Sequence, residues 1–222
     1  MSIASNIENL RHDIPQTVKL VCVSKFHPDE DLMEAYQTGE RIFGESRVQE
    51  MAGKHERLAK DIEWHFIGHL QKNKVKYIAP FVHLIHGVDS FELLSEVNRQ
   101  ALKAERIISC LLQIHIAKED TKFGFSEEEI IEMLNAEVWK SFKNIKICGL
   151  MGMATFTDDK KQVKQEFHGL HQLFGKIKNE FFASDCDFKE ISMGMSDDFH
   201  QAIDAGSTMV RVGSLIFGSR VV

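Results

Sequence analysis

Short apolar runs of strand length alternate along the chain with stretches whose apolar residues recur every three or four positions. The strand-like runs are Lys19–Lys25, Arg41–Glu45, Trp64–Leu70, His83–Asp89, Ser109–Ile116, Lys146–Met153, Glu190–Met195 and Met209–Gly218. Most are β-branched or aromatic and apolar enough to be covered on both faces. Between them lie helical patterns. "HPDEDLMEAYQTG" carries acidic residues in its first turn and Gly39 after its end. "DSFELLSEVNRQALKAE" starts at an Asp/Ser cap, with Phe91, Leu94, Val97 and Ala101 at helical spacing. "SEEEIIEMLNAEVWKSF" opens with Ser126 three residues before Glu129, the pattern of a capping box. Around Asp158–Phe182, Val163, Phe167, Leu170, Phe174, Ile177 and Phe181 form one apolar stripe facing a core.

Repeated βα units with short connections predict parallel strands joined by helical crossovers. Eight of them predict a single α/β domain over residues 1–222, a closed (β/α)8 TIM barrel; a doubly wound open sheet is the alternative. "SIASNIENLRHDI" reads as an extra N-terminal helix, placed to cover the barrel bottom. No Pro/Gly/Ser-rich linker or charge block marks a domain boundary.

Composition narrows the function. Hydrophobic residues are 43% and charged residues 27% of the 222, as in a soluble globular protein, and the formal net charge is −6. That balance argues against a nucleic acid or an anionic membrane as partner, and leaves Lys72, Lys74 and Lys76 as a solvated helix face. The four cysteines, Cys22, Cys110, Cys148 and Cys186, lack the close spacing of a zinc or redox motif. The first three sit in apolar runs as small core residues, which implies a reducing, cytoplasmic setting. No signal-peptide stretch opens the chain, and no apolar run is long enough to span a bilayer.

In such a barrel the reactive residues sit at the carboxyl ends of the strands. The first strand ends at Lys25. The second ends in Gly44-Glu45-Ser46-Arg47, where Arg47 reads as a capping or pairing residue. The seventh ends "ISMGMSDD" and the eighth reads "VRVGSLIFG". The loops after strands seven and eight commonly bind phosphate in this architecture. Ser192, Gly194 and Ser196 offer one small-residue loop, and Gly213 and Ser214 another. Alternation puts Arg211 and Gly213 on one face, taken as the interior. An interior arginine needs either a carboxylate such as Glu45 or a ligand. A lysine and a phosphate cradle together suggest pyridoxal phosphate, whose aldehyde condenses with the Lys25 amine as a Schiff base. Arg211 could donate to the pyridine nitrogen. Arginine holds its proton, so the ring would be a weak electron sink and transaminase-like chemistry is disfavoured.

"VSKFHP", "GERIFGESRVQE", "WHFIGHLQKNKVKYI", "LIHGVDS" and "ISMGMSDDFHQAIDAGSTMVRVGSLIFGSR" closely resemble the pyridoxal phosphate homeostasis proteins, from about Lys19 to Arg220. The resemblance implies a barrel similar to the N-terminal domain of alanine racemase. It implies cofactor on Lys25, phosphate held by Ser192, Gly213 and Ser214, and Arg211 at the pyridine nitrogen. The family is thought to bind, buffer and deliver the cofactor. Where it usually reads "FGEN", this chain has Ser46, a shorter contact for the ring hydroxyl.

A non-catalytic carrier is therefore the favoured function, with amino acids and apo pyridoxal-phosphate enzymes as candidate further partners. A pyridoxal-phosphate-dependent racemase is the alternative. It needs a second base, and Tyr36 and Tyr77 both fall in predicted helices away from the mouth; His65, His69 and His115 could stand in. Alanine racemase takes its tyrosine from a further dimerising domain, for which this chain has no counterpart, so a monomer is expected. A metal-dependent hydrolase built on His65 and His69 is the third reading. It lacks aspartates at nearby strand ends, so the histidines read as packed and no metal is expected. Met151, Met153, Met193 and Met195 cluster at strand ends, with Met153 and Met193 as candidates to line the pocket.

Overall fold

The structure is a computed structural model that describes residues 2–118 and 123–218. The last residues of the family-like motif, Ser219 and Arg220, lie outside the described residues. Eight parallel strands close into a barrel in chain order: β1 (Lys19–Val23), β2 (Ile42–Glu45), β3 (Glu63–Phe66), β4 (Leu84–Val88), β5 (Ile108–Gln113), β6 (Ile145–Met151), β7 (Glu190–Ser192) and β8 (Met209–Val212). The closure is made by β8 on β1, where Val21 faces Arg211 across the ladder. The open-sheet alternative is thereby excluded.

Helices fill the crossovers: α1 (Ile3–Asp13), α2 (Asp29–Gln37), α3 (Val48–Arg57), α4 (Val75–Ile78), α5 (Phe91–Lys103), α6 (Glu127–Asn135), α7 (Lys160–Phe181), α8 (Phe199–Asp204) and α9 (Ser214–Phe217). The capping box forms as read from sequence, with Ser126 Oγ accepting from the Glu129 amide and the Glu129 side chain accepting from the Ser126 amide. The stripe on α7 buries Val163, Phe167, Leu170, Phe174 and Ile177.

Two apolar clusters result, as closure demands. The larger lies between the strands and the helices. The smaller fills the barrel and contains Val21, Leu84, Leu111, Cys148, Met151 and Met209. Alternation sorts strand residues between the two, except across the register irregularities, where Cys148 and Leu150, two apart on β6, fall in opposite clusters.

Strand ends depart from expectation. Pairing in β1 stops at Val23, and Lys25 lies in the turn beyond, where the Ser24 carbonyl accepts from the His27 amide and Phe26 takes φ +69°. The eighth run stops at Val212. "SLIF" is as apolar as a strand, yet the amides of Ile216 and Phe217 bond back to the Gly213 carbonyl and close a helical turn. The helix α1 does not cover the barrel bottom. Its Asn6 Nδ2 donates to the Ile216 carbonyl at 2.8 Å and its Ala4 amide to Glu34, so it packs on α9 and α2. Lys72 and Lys76 are exposed, as expected of a solvated face.

Candidate functional site

The carboxyl ends of the strands enclose a cavity of about 390 Å3, a size suited to a small organic ligand. Lys25, Ser46, Arg211, Gly213 and Ser214 line it. Ser192 does not. It lies level with Met209, one layer deeper, and is fully buried. Its hydroxyl accepts from Arg211 Nη1 at 2.6 Å and lies 2.9 Å from His86 Nδ1. Ser196, from the same loop, lines the cavity instead, and its Oγ accepts from the Gly213 amide at 3.4 Å.

Arg211 is the electrostatic centre of the mouth. Strand alternation turns it inward, and only 4% of it is exposed. Its Nη2 donates to the Gly152 carbonyl at 3.1 Å. Glu45, the carboxylate that sequence offered as its partner, is instead paired with Lys54 at 2.7 Å. No carboxylate of the described residues forms an ion pair with Arg211. Burial brings its pKa down to about 10, against the opposing pull of Asp198, so it keeps its proton at neutral pH.

The backbone beside it leaves room for a ligand. A Cβ on Gly213 would come 3.0 Å from the Val23 carbonyl oxygen, so glycine just after β8 eases its close approach to the end of β1 at the mouth. A lysine, a buried guanidinium without an ion-paired carboxylate among the described residues, three serines and this glycine meet in one cavity. That set fits an aldehyde ligand carrying an anionic group and a ring acceptor.

Lys25 is fixed through its neighbours. The Ser24 carbonyl accepts from Lys54 Nζ at 2.8 Å, and Ser24 Oγ donates to Glu45 Oε1 at 2.7 Å. On the other side, the Phe26 amide donates to Glu50 Oε1 at 2.6 Å, and Lys54 Nζ reaches the same oxygen at 2.8 Å. The Arg47 guanidinium stacks 4.5 Å above the Phe26 ring. Sequence reasoning missed Glu50 and Lys54. The available signal was a lysine on the apolar stripe Val48–Met51–Lys54 of α3, all three buried.

The histidines divide by depth. His65 Nδ1 and His86 Nε2 are 3.0 Å apart, which extends the Arg211–Ser192–His86 contacts into one polar chain inside the barrel. Burial pushes both imidazoles well below the usual histidine range and keeps them neutral. His69 lies on the rim, with Nδ1 2.9 Å from Asp89 Oδ2 and its ring stacked on Phe123 at 3.9 Å. The expectation that no aspartate stands near is corrected by Asp89, yet His65 and His69 engage different partners. Met153 and Met195 line the cavity, whereas Met193 is fully buried in the strand–helix core. Tyr36 bonds Asp61 and Tyr77 is half-exposed, and neither lines the cavity.

Fold and mouth together define a lysine-bearing (β/α)8 barrel of the alanine racemase type, and the family model for the alanine racemase N-terminal domain matches residues 1–221. Full-length relatives narrow this. The pyridoxal phosphate homeostasis protein of Aquifex aeolicus is 38% identical, covering 91% of this chain and 87% of that one. That of Pasteurella multocida is 36% identical, covering 99% and 98%. PipY of Synechococcus elongatus superposes with a TM-score of 0.92 without PLP and 0.88 with PLP bound, at 32% and 31% identity, over 98% of this chain and all of that one. An alanine racemase of Clostridium difficile, 13% identical with a TM-score of 0.78, shares the fold. The chain belongs to the pyridoxal phosphate homeostasis protein family.

Proposed function

We propose that this protein binds pyridoxal 5'-phosphate on Lys25 and serves in its homeostasis, holding and delivering the cofactor rather than turning over an amino acid. The observation that carries the reading is Arg211. It is a buried guanidinium that forms no ion pair with a carboxylate of the described residues, in the cavity that Lys25 also lines. When bound, the cofactor supplies an aldehyde that takes the lysine amine and a pyridine ring whose electron demand depends on the group at its nitrogen.

The chain's own residues set the rest. Lys25 provides the amine, held in place through Ser24 and Phe26. Ser196, Gly213 and Ser214 form the phosphate end, and Ser192 acts one layer down by orienting Arg211. Arg211 would donate to the ring nitrogen and, with a pKa of about 10, would give up no proton to it at neutral pH. Ser46, which lines the cavity, would reach the ring hydroxyl through a water. Delivery is supported by an open rim, where Phe123 and Phe156 are 53% and 86% exposed. Apo pyridoxal-phosphate enzymes are the receiving partners in this reading, and amino acids are further ligands. Tyr36 and Tyr77, the chain's two tyrosines, lie outside the cavity, which disfavours a racemase with a tyrosine base. Four free cysteines fit a cytoplasmic setting. Among the described residues no helix is long and apolar enough to cross a membrane. A single-domain monomer completes the reading.

The test is the visible absorption spectrum with added pyridoxal phosphate for wild type and Lys25→Ala, followed by borohydride reduction and peptide mass mapping. A yellow wild type with a pyridoxyl adduct on Lys25, absent in the variant, is expected. A colourless wild type overturns the assignment. Formation of D-amino acids that vanishes in Lys25→Ala overturns the carrier role.

A further inference from the structure

The opposite end of the barrel carries a second constellation. A pocket of about 180 Å3 opens at the amino ends of the strands, lined in part by Glu63, His65 and His83. Glu63 and His65 are two residues apart on β3 and so share the interior face. His83 stands just before β4, where its amide donates to the Trp64 carbonyl at 2.8 Å. Each of the three offers a ligand atom, and these atoms all lie within 4.8 Å of one another.

His65 is the most telling member. It is 2% exposed, and its Nε2 is buried with no hydrogen-bond partner. Its Nδ1 is held by His86 at 3.0 Å, so Nε2, on the opposite edge of the ring, faces away from that contact. A metal-binding histidine is usually fixed in this way, with its other nitrogen in a hydrogen bond. Glu63 Oε2 and His83 Nε2 are 3.5 Å apart, too far for a good hydrogen bond. Ligands at about 2.1 Å from a tetrahedral ion stand about 3.4 Å from each other.

We infer that Glu63, His65 and His83 form a binding site for a divalent transition-metal ion of the zinc class at the floor of the barrel. Two imidazoles and one carboxylate suit zinc, cobalt or nickel, whereas calcium and magnesium prefer all-oxygen shells. Side-chain exposures of 44% for Glu63 and 52% for His83 leave solvent access for a water as fourth ligand. Of the three lysines that line the pocket, Lys19, Lys146 and Lys189, the first two are neutralised in place. Lys19 pairs with Glu190 at 2.6 Å and Lys146 with Asp187 at 2.8 Å. A second group, Asp185, Cys186 and Asp187, has comparable spacing. There Asp187 is already paired with Lys146, and Asp185 Oδ1 accepts from the Asp187 amide at 2.8 Å.

The full-length protein, stripped with a chelator, is titrated with Zn2+ alone by calorimetry. One site per chain is expected. Glu63→Gln and His83→Gln, both at half-exposed positions, each weaken it at least about tenfold, the smallest loss seen when support of a ligand is removed. Cys186→Ser leaves it unchanged. As a check that needs no variant, Zn2+ shifts the His65 Nε2 resonance in a long-range 15N–1H spectrum of the wild type. Absence of binding, binding that survives both substitutions, binding lost in Cys186→Ser, or an unmoved His65 resonance at saturation each overturns the site.

Discussion

Replacing Lys54 with methionine tests whether the turn bearing Lys25 is held by a buried ion pair. The Lys54 ammonium has three donors, and all are used: on the Ser24 carbonyl, Glu45 Oε1 and Glu50 Oε1, at 2.7 to 2.8 Å. In Lys54→Met the fully buried Glu45 keeps only Ser24 Oγ, because its Oε2 already has no partner. Removing one member of a buried pair costs about 3–5 kcal/mol. Glu45 has an escape, since it can take up a proton. From an ordinary pKa of 4.5, that costs about 3.4 kcal/mol at pH 7, which sets the ceiling. We therefore expect a loss of about 3 kcal/mol, or about 6–12 °C in Tm for a chain of this length.

The pH dependence follows from the same carboxyl. Burial already pushes the Glu45 pKa up, and without Lys54 only the Ser24 hydrogen bond pulls it back. The folded variant then holds a proton that the unfolded chain releases above pH 4.5, so its stability falls as pH rises. Relative to wild type, the deficit shrinks as pH falls from 7 towards 5, by at most about 1.4 kcal/mol per pH unit, because the wild-type Glu45 pKa is itself raised. Urea unfolding at pH 5, 6 and 7 measures this. The double variant Lys54→Met/Glu45→Gln, with no buried charge left, recovers most of the loss. A deficit below about 1 kcal/mol, a deficit independent of pH, or no recovery in the double variant refutes the reasoning.

Two further outcomes follow from the interior. Ser192→Ala leaves Arg211 Nη1 and His86 Nδ1 without their shared oxygen, and costs about 1–3 kcal/mol in urea unfolding, together with weaker binding of added pyridoxal phosphate; a stability change within about 0.5 kcal/mol contradicts the orienting role. Cys22, Cys110 and Cys148 are buried, with thiol pKa values pushed up by burial, while Cys186 is exposed. Alkylation of the native protein at pH 8 therefore labels Cys186 alone by mass mapping, and adducts on the other three count against the packing described.

Much of this was legible because a barrel repeats one rule. The alternation of apolar runs and helical stripes fixes the order of elements, and period two on β8 places Arg211 and Gly213 inside. The rule fails where the chain leaves the ladder. Ser192 and Ser196 look equivalent in "ISMGMS", but Gly194 takes φ +94° and turns the backbone, so strand parity no longer carries across it. Ser192 stays in the deeper layer and Ser196 reaches the mouth. Lys25 was correctly singled out as a residue of the mouth, but for the wrong local reason. It does not end a strand; it sits in a turn.

That difference explains what sequence could not supply. A strand end is positioned by its ladder, and a turn is not. The Lys25 turn includes Phe26 at positive φ, a conformation that costs a non-glycine residue about 1–3 kcal/mol unless its surroundings impose it. The groups that impose it, Glu45, Glu50 and Lys54, come from β2 and α3, and each looks ordinary within its own element. A helix lysine four residues after a glutamate reads as a solvated surface pair. Only pairing of β1 with β2 carries that pair under the turn and buries its lysine. The lysine of the mouth can be found by its place in the chain, whereas the groups that hold its turn come together only once the barrel has formed.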